Sequence, residues 1–122
     1  MRTIIAGSRF NADNPRVLRL AREHLLTALR FMPWRITEVV SGHNLHSYDL
    51  IGEQWAQHHG LPTECFRAKW GLHGQAAGRI RNGLMANNAE ALLALWNGTS
   101  PGTANMIEAM QKRGLPTFVW MV

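Results

Sequence analysis

Two periodicities alternate along the chain, and their succession sets the order of elements. Short apolar, largely β-branched runs at 2–6, 36–40, 61–66, 89–96 and 117–121 predict strands. Between them the apolar residues recur every three or four positions. Over 15–31, Val17, Leu18, Ala21, Leu25, Ala28 and Leu29 share one helical face, with Arg16, Arg19, Glu23 and Arg30 opposite. Further helices are predicted over 47–59, with Leu50, Ile51, Trp55 and Ala56 inward, and over 75–87 and 102–113. Gly60 and Gly114 end two of these helices, Pro62 suits a first or edge position of the third strand, and 67–74 reads as a long loop. Strands alternating with helices imply a parallel sheet covered on both faces. The expected fold is one Rossmann-like, doubly wound α/β domain of about five mainly parallel strands.

In such sheets ligands sit beyond the carboxyl ends of the strands, where the strand order reverses. The first strand runs into Gly7, Ser8 and Arg9, and the second into Ser41, Gly42, His43, Asn44 and His46. After the fourth comes Asn97-Gly98-Thr99-Ser100-Pro101-Gly102-Thr103, a turn leading into a helix. Ser100 suits the N-cap and Pro101 the first helical position, which leaves the next N–H groups open at the positive end of the helix dipole. Such an end suits an anion, most often phosphate, although the turn by itself reads equally as an ordinary capped helix after a strand. Gly78, Arg81, Asn82 and Met85 share a helical face, and Gly78 calls for close approach to a ligand or to a neighbouring element.

Composition narrows the field. The 122 residues carry a formal charge of +5 with only 17% charged residues, so the positive excess is spread over a folded surface and favours anionic partners. A chain of this length buries enough surface to fold without staples, and the single Cys65 is expected in the core. There is no membrane-length apolar run and no signal-peptide pattern, so a cytoplasmic protein is expected. Neither G-x-G-x-x-G nor G-x-x-x-x-G-K-[ST] occurs, which argues against the dinucleotide fingerprint and the Walker A cradle. Six histidines lack zinc-site spacing and Cys65 has no partner along the chain, so no metal is expected. Nor does a nucleophile elbow accompany Ser8 or Ser41.

Several segments together resemble a known family. They are Ile4-Ile5-Ala6-Gly7-Ser8-Arg9, Ser41-Gly42 with Asp49 downstream, Gly52-Glu53-Gln54-Trp55-Ala56, Ala68-Lys69-Trp70, Arg81-Asn82 followed by Met85, and Trp96-Asn97-Gly98-Thr99-Ser100-Pro101-Gly102-Thr103-Ala104-Asn105-Met106-Ile107. This set is similar to the YspA-like branch of the SLOG superfamily, which also holds the Smf/DprA proteins and the Lonely Guy phosphoribohydrolases. The resemblance spans the chain and implies a domain that binds a nucleotide or nucleotide-derived ligand, with no further cofactor required. It implies that Gly7, Ser8, Arg9, Gly98, Thr99, Ser100, Gly102 and Thr103 hold phosphate, and that Arg81 and Asn82 contact phosphate or ribose. Ser41, Gly42 and Gly78 complete the candidate set; Asp49 is a candidate ribose acceptor. Trp70 reads either as a base-stacking face or as packing.

Lonely Guy enzymes pair an arginine, matched here by Arg81, with a glutamate whose position holds Met106. A thioether neither accepts a proton nor stabilises an oxocarbenium-like centre, and Glu108 lies on another side of the helix. Two more departures stand out: 43–48 is one residue longer than the family's Gly-rich turn, and Lys69 replaces an acidic residue before the tryptophan. The leading expectation is therefore a sensor, carrier or sequestering protein. One alternative is an N-glycosidase of nucleoside monophosphates that keeps Arg81 and recruits Asp49 or Glu53. The other is single-stranded nucleic-acid binding through Arg16, Arg19 and Arg22. The superfamily resemblance also implies a homodimer.

Overall fold

The computed structural model describes every residue from Met1 to Val122. Its strands are β1 (Arg2–Gly7), β2 (Glu38–Ser41), β3 (Thr63–Cys65), β4 (Ala91–Trp96) and β5 (Thr117–Met121). Its α-helices are α1 (Pro15–Phe31), α2 (Tyr48–His58), a single turn α3 (Trp70–His73), α4 (Ala77–Asn87) and α5 (Pro101–Lys112). All five strands are parallel in the order β3-β2-β1-β4-β5. This is the expected doubly wound arrangement, with the order reversing between β1 and β4. No helix is long and apolar enough to cross a membrane.

Alternation along the strands divides the core into two layers. Ile5, Val39, Leu93 and Leu95 face α1 and α2, meeting Ala21, Leu25, Ala28, Ile51 and Ala56. Ile4, Ala6, Val40, Leu92 and Ala94 face the other way, onto Met85 and Ala86 of α4 and Met106, Ile107 and Met110 of α5. At the amino-terminal ends of the strands Arg2 bridges Glu38 and Glu64, which pins β1, β2 and β3 together at the end away from the loops.

Three local expectations differ from the structure. The stretch 67–74 contains α3, and a 3₁₀ turn over Gly74–Ala76 delays α4 to Ala77. Ser100 occupies the N-cap of α5, but its side chain makes no capping bond. Cys65 is exposed, because β3 is an edge strand with all three residues facing solvent.

Two glycines report how tightly the layers pack. A Cβ on Gly52 of α2 would lie 2.7 Å from Cβ and Cγ2 of Ile5 in β1, so the helix backbone rests directly on the strand. Nothing lies within 4 Å of a Cβ built on Gly83 of α4. Gly52→Ala is therefore expected to lower the unfolding free energy by about 1–3 kcal/mol through overpacking. Gly83→Ala is expected to raise it by about 0.5–1 kcal/mol through helix propensity. Urea denaturation of the two variants checks both signs.

Candidate functional site

A cleft of about 560 Å³ opens at the carboxyl ends of β1 and β4, over the point where the strand order reverses. Its walls come from the loop after β1, the loop before α2, α3, the inner face of α4 and the first turns of α5. Met85 and Met106, both buried, form an apolar part of its lining.

Close backbone contacts fix the first wall. The Ser8 N–H donates to the Leu95 carbonyl at 2.9 Å, and the Asn97 N–H donates to Ser8 Oγ at 2.9 Å, so β1 and β4 remain joined beyond their last paired residues. Gly7 has no room for a side chain. A Cβ there would lie 2.3 Å from the Leu95 carbonyl and 2.8 Å from Cβ of Tyr48. The chain then turns outward: Arg9 forms an antiparallel bridge with Ser47, and the Phe10 N–H donates to the His46 carbonyl at 2.9 Å. This carries the Arg9 side chain over the cleft.

The turn after β4 is shaped by Asn97. Its Oδ1 accepts from the N–H groups of Thr99 and Ser100, each at 2.9 Å, and Gly98 takes a left-handed φ of 84° that favours glycine. Ser100, Gly102 and Thr103 face the cleft, whereas Gly98 and Thr99 lie outside it. The first intrahelical acceptor, the Ser100 carbonyl, takes the Ala104 N–H at 3.1 Å. The Gly102 and Thr103 N–H groups have no acceptor within the protein, and the Thr103 hydroxyl also makes no hydrogen bond. Three donors thus converge on the positive end of α5.

Arg81 crosses from α4 toward the second loop. Its Nη1 donates to the Gly42 carbonyl at 2.6 Å and its Nε to Asn82 Oδ1 at 3.0 Å. The guanidinium fills the space a side chain on Gly42 would need, since a Cβ there would lie 2.6 Å from Arg81 Nη1. Asn82 uses its amide hydrogens to hold the Gly102 carbonyl at 3.2 Å and Asn105 Oδ1 at 2.9 Å, which clamps α4 to the first turn of α5. Burial lowers the Arg81 pKa, as does the nearby positive Arg9, while Asp49 opposes both. Arg9, Arg79 and Arg81 line the cleft, and none has a carboxylate within ion-pair distance.

Asp49 is the only carboxylate in the lining. It sits in the first turn of α2 behind the Ser47 N-cap, with Oδ2 accepting from the Asn44 N–H at 3.1 Å. Burial pushes its carboxyl up to about 6, although the Asn44 N–H and Arg81 pull it down. Trp70 stays 55% exposed at the rim, and its ring edge would be 3.5 Å from a Cβ on Gly78, an ordinary contact. Core packing therefore does not account for Trp70, and no close approach accounts for Gly78.

Of the candidate residues, Gly7, Ser8, Arg9, Asp49, Trp70, Gly78, Arg81, Asn82, Ser100, Gly102 and Thr103 come together in the cleft. Ser41 and Gly42 do not line it. Ser41 is buried beneath, donating from Oγ to Glu53 at 2.6 Å, and Gly42 makes room for Arg81. Sequence reasoning missed Asn44, Ser47, Gln75, Arg79 and Asn105. Gln75 and Arg79 follow the three- and four-residue spacing that leads through Gly78 and Asn82, so extending that face backward finds both.

Fold and site define a doubly wound parallel α/β domain with an arginine-lined cleft at its switch point. The chain is 31% identical over 121 residues to the Gene 61 protein of Mycobacterium phage D29, covering 94% of this chain and 92% of that protein, and it belongs to that protein's family. No protein-family model matches the chain.

The buried Asp49 gives the fold a defined pH dependence. The native carboxyl keeps its proton up to about pH 6, whereas the ordinary value is 3.8, so between these values the native state binds more protons than the unfolded chain. Stability attributable to Asp49 is present at acid pH and falls as pH rises through this window, by roughly 3 kcal/mol in all. Asp49→Asn is expected to flatten that part of the profile in urea melts from pH 4 to 7; a profile that the substitution leaves unchanged contradicts the assignment.

Proposed function

We propose that the cleft binds a nucleotide or nucleotide-derived small molecule, and that the protein acts as a sensor, carrier or sequestering protein of the SLOG type. The observation that carries this reading is a set of three arginines without ion pairs, facing the free N–H groups of Gly102 and Thr103 across one cleft. Guanidinium groups and a helix N-terminus both favour phosphate, the first by bidentate hydrogen bonds and the second through its open donors. Burial lowers the proton affinity of Arg81, and the positive charge of Arg9 lowers it further. A phosphate between them relieves that repulsion.

The other cleft residues fit the remainder of such a ligand. Trp70 offers an exposed aromatic face at the rim, suited to stacking on a base. Asp49, once ionised, accepts a ribose hydroxyl. Ser8 and Asn82 position the walls through their own hydrogen bonds. Met106 leaves the floor without the carboxylate that glycosidic hydrolysis uses, which favours holding the ligand over cutting it.

A second reading rests on Asp49, a cleft carboxyl held near pH 6 and electrostatically coupled to Arg81. Such a group suits acid–base work, and it keeps nucleoside-monophosphate cleavage in play. Release of free base from a panel of nucleotides marks this reading, and absence of release from every member excludes it. Arg16, Arg19 and Arg22 are exposed on α1, and binding that falls steeply with salt and depends on them marks a nucleic-acid surface instead.

The binding reading is tested by thermal unfolding with a panel of nucleoside monophosphates and diphosphates, alongside native mass spectrometry of the freshly purified protein. A cognate ligand at a hundredfold its Kd is expected to raise Tm by roughly 5–10 °C. Arg81→Ala is expected to remove most of that rise. Neither a bound small molecule nor a shift with any panel member contradicts the proposal.

A further inference from the structure

Beside the second loop, outside the lining of the cleft, three side chains from separate elements converge. His43 follows β2, Glu53 lies in α2, and Cys65 is the last residue of β3. One potential ligand atom from each lies within 4.8 Å of the others. His43 Nδ1 is 2.9 Å from Oε1 and 3.0 Å from Oε2 of Glu53, and Oε2 also accepts from Ser41 Oγ at 2.6 Å. The His43 N–H in turn donates to Ser41 Oγ at 3.0 Å. His43 holds a left-handed φ of 57°, the only residue other than glycine with a positive value.

We propose that His43, Glu53 and Cys65 bind one divalent transition-metal ion, zinc being the best fit, with the fourth position left to water. An imidazole, a carboxylate and a thiolate are the three side-chain ligand types of tetrahedral zinc, and a sulfur donor disfavours magnesium and calcium. Bonds of about 2.0–2.3 Å place ligand atoms about 3.3–3.8 Å from one another, so to hold an ion the His43–Glu53 pair, now at 2.9–3.0 Å, opens slightly while all three ligand atoms stay within the 4.8 Å that they already span. The absence of zinc-type spacing along the sequence is no obstacle, because β2 and β3 are neighbours in the sheet and α2 packs against both.

Electrostatics favour a cation here. Glu53 has no lysine or arginine partner within ion-pair distance, only the His43 ring. A dication held among an imidazole, a carboxylate and a cysteine sulfur neutralises the negative charge of its two anionic donors. Ser41 then acts as a positioning residue, its hydroxyl holding one oxygen of Glu53 while the other turns to the metal. The ion would brace the second loop, whose next residue, Asn44, lines the cleft.

Cobalt(II) titration of the reduced, chelator-treated protein tests this. One equivalent is expected to produce an intense near-ultraviolet thiolate-to-cobalt band together with the visible bands of a four-coordinate ion. Zinc displaces it, and slows modification of Cys65 by a thiol reagent. Cys65→Ser, at an exposed edge position, is expected to abolish the near-ultraviolet band and weaken zinc uptake about tenfold or more; His43→Ala is expected to weaken zinc uptake to a similar extent, and His58→Ala to leave both band and uptake unchanged. Absence of the thiolate band, zinc uptake unchanged in Cys65→Ser, or no protection of Cys65 in the unmodified protein overturns the proposal.

Discussion

The direct pairing of β1 with β4 is the constraint on which the rest of this molecule depends. Five consecutive residue pairs, from Thr3 with Ala91 to Gly7 with Leu95, join the strand that begins one half of the sheet to the strand that begins the other. Because the two chains leave this seam toward opposite faces, their loops diverge and leave a cleft above it. The seam tolerates no side chain at Gly7, where the Leu95 carbonyl and Tyr48 occupy the space. Beyond it, Ser8 and Asn97 keep the loops in register, so the arginine after one and the helix start after the other face each other at a fixed separation.

The cleft's charge arises from the same geometry. Arg81 reaches across because Gly42 leaves a vacancy, and it is held by a carbonyl and an amide instead of a carboxylate. Partial burial of an arginine beside Arg9 costs free energy that a neutral side chain would not. Asp49, protonated up to about pH 6, offsets less of that charge in acid than in neutral solution. The cleft thus gathers positive charge with no carboxylate at ion-pair distance, and the proposed binding of an anion rests on that imbalance.

Much of this was legible in the sequence, for identifiable reasons. The five strands and four long helices follow from period and from glycine and proline stops, and Pro62 limited its strand to a first or edge position, consistent with β3 at the sheet edge. The same edge position explains why Cys65 is exposed: a three-residue run of mixed polarity does not reveal which of its faces is covered. Ser41 and Gly42 illustrate a different limit. A glycine after a strand signals a close approach, but the approaching group was Arg81 of the same chain, and only the folded structure distinguishes that from a ligand. The convergence of His43, Glu53 and Cys65 was hidden because it depends on the adjacency of β2, β3 and α2, not on spacing along the chain.

Backbone amide chemical shifts, followed while a nucleoside monophosphate is titrated into the uniformly ¹⁵N-labelled protein, test the central claim most directly. Saturable shifts should be largest at Gly102 and Thr103, whose N–H groups are free in the structure, with smaller ones at Ser8 and Arg9. Shifts confined to the Arg16 to Arg22 face of α1, or no saturable shift at Gly102 and Thr103 with any nucleotide, would contradict the account.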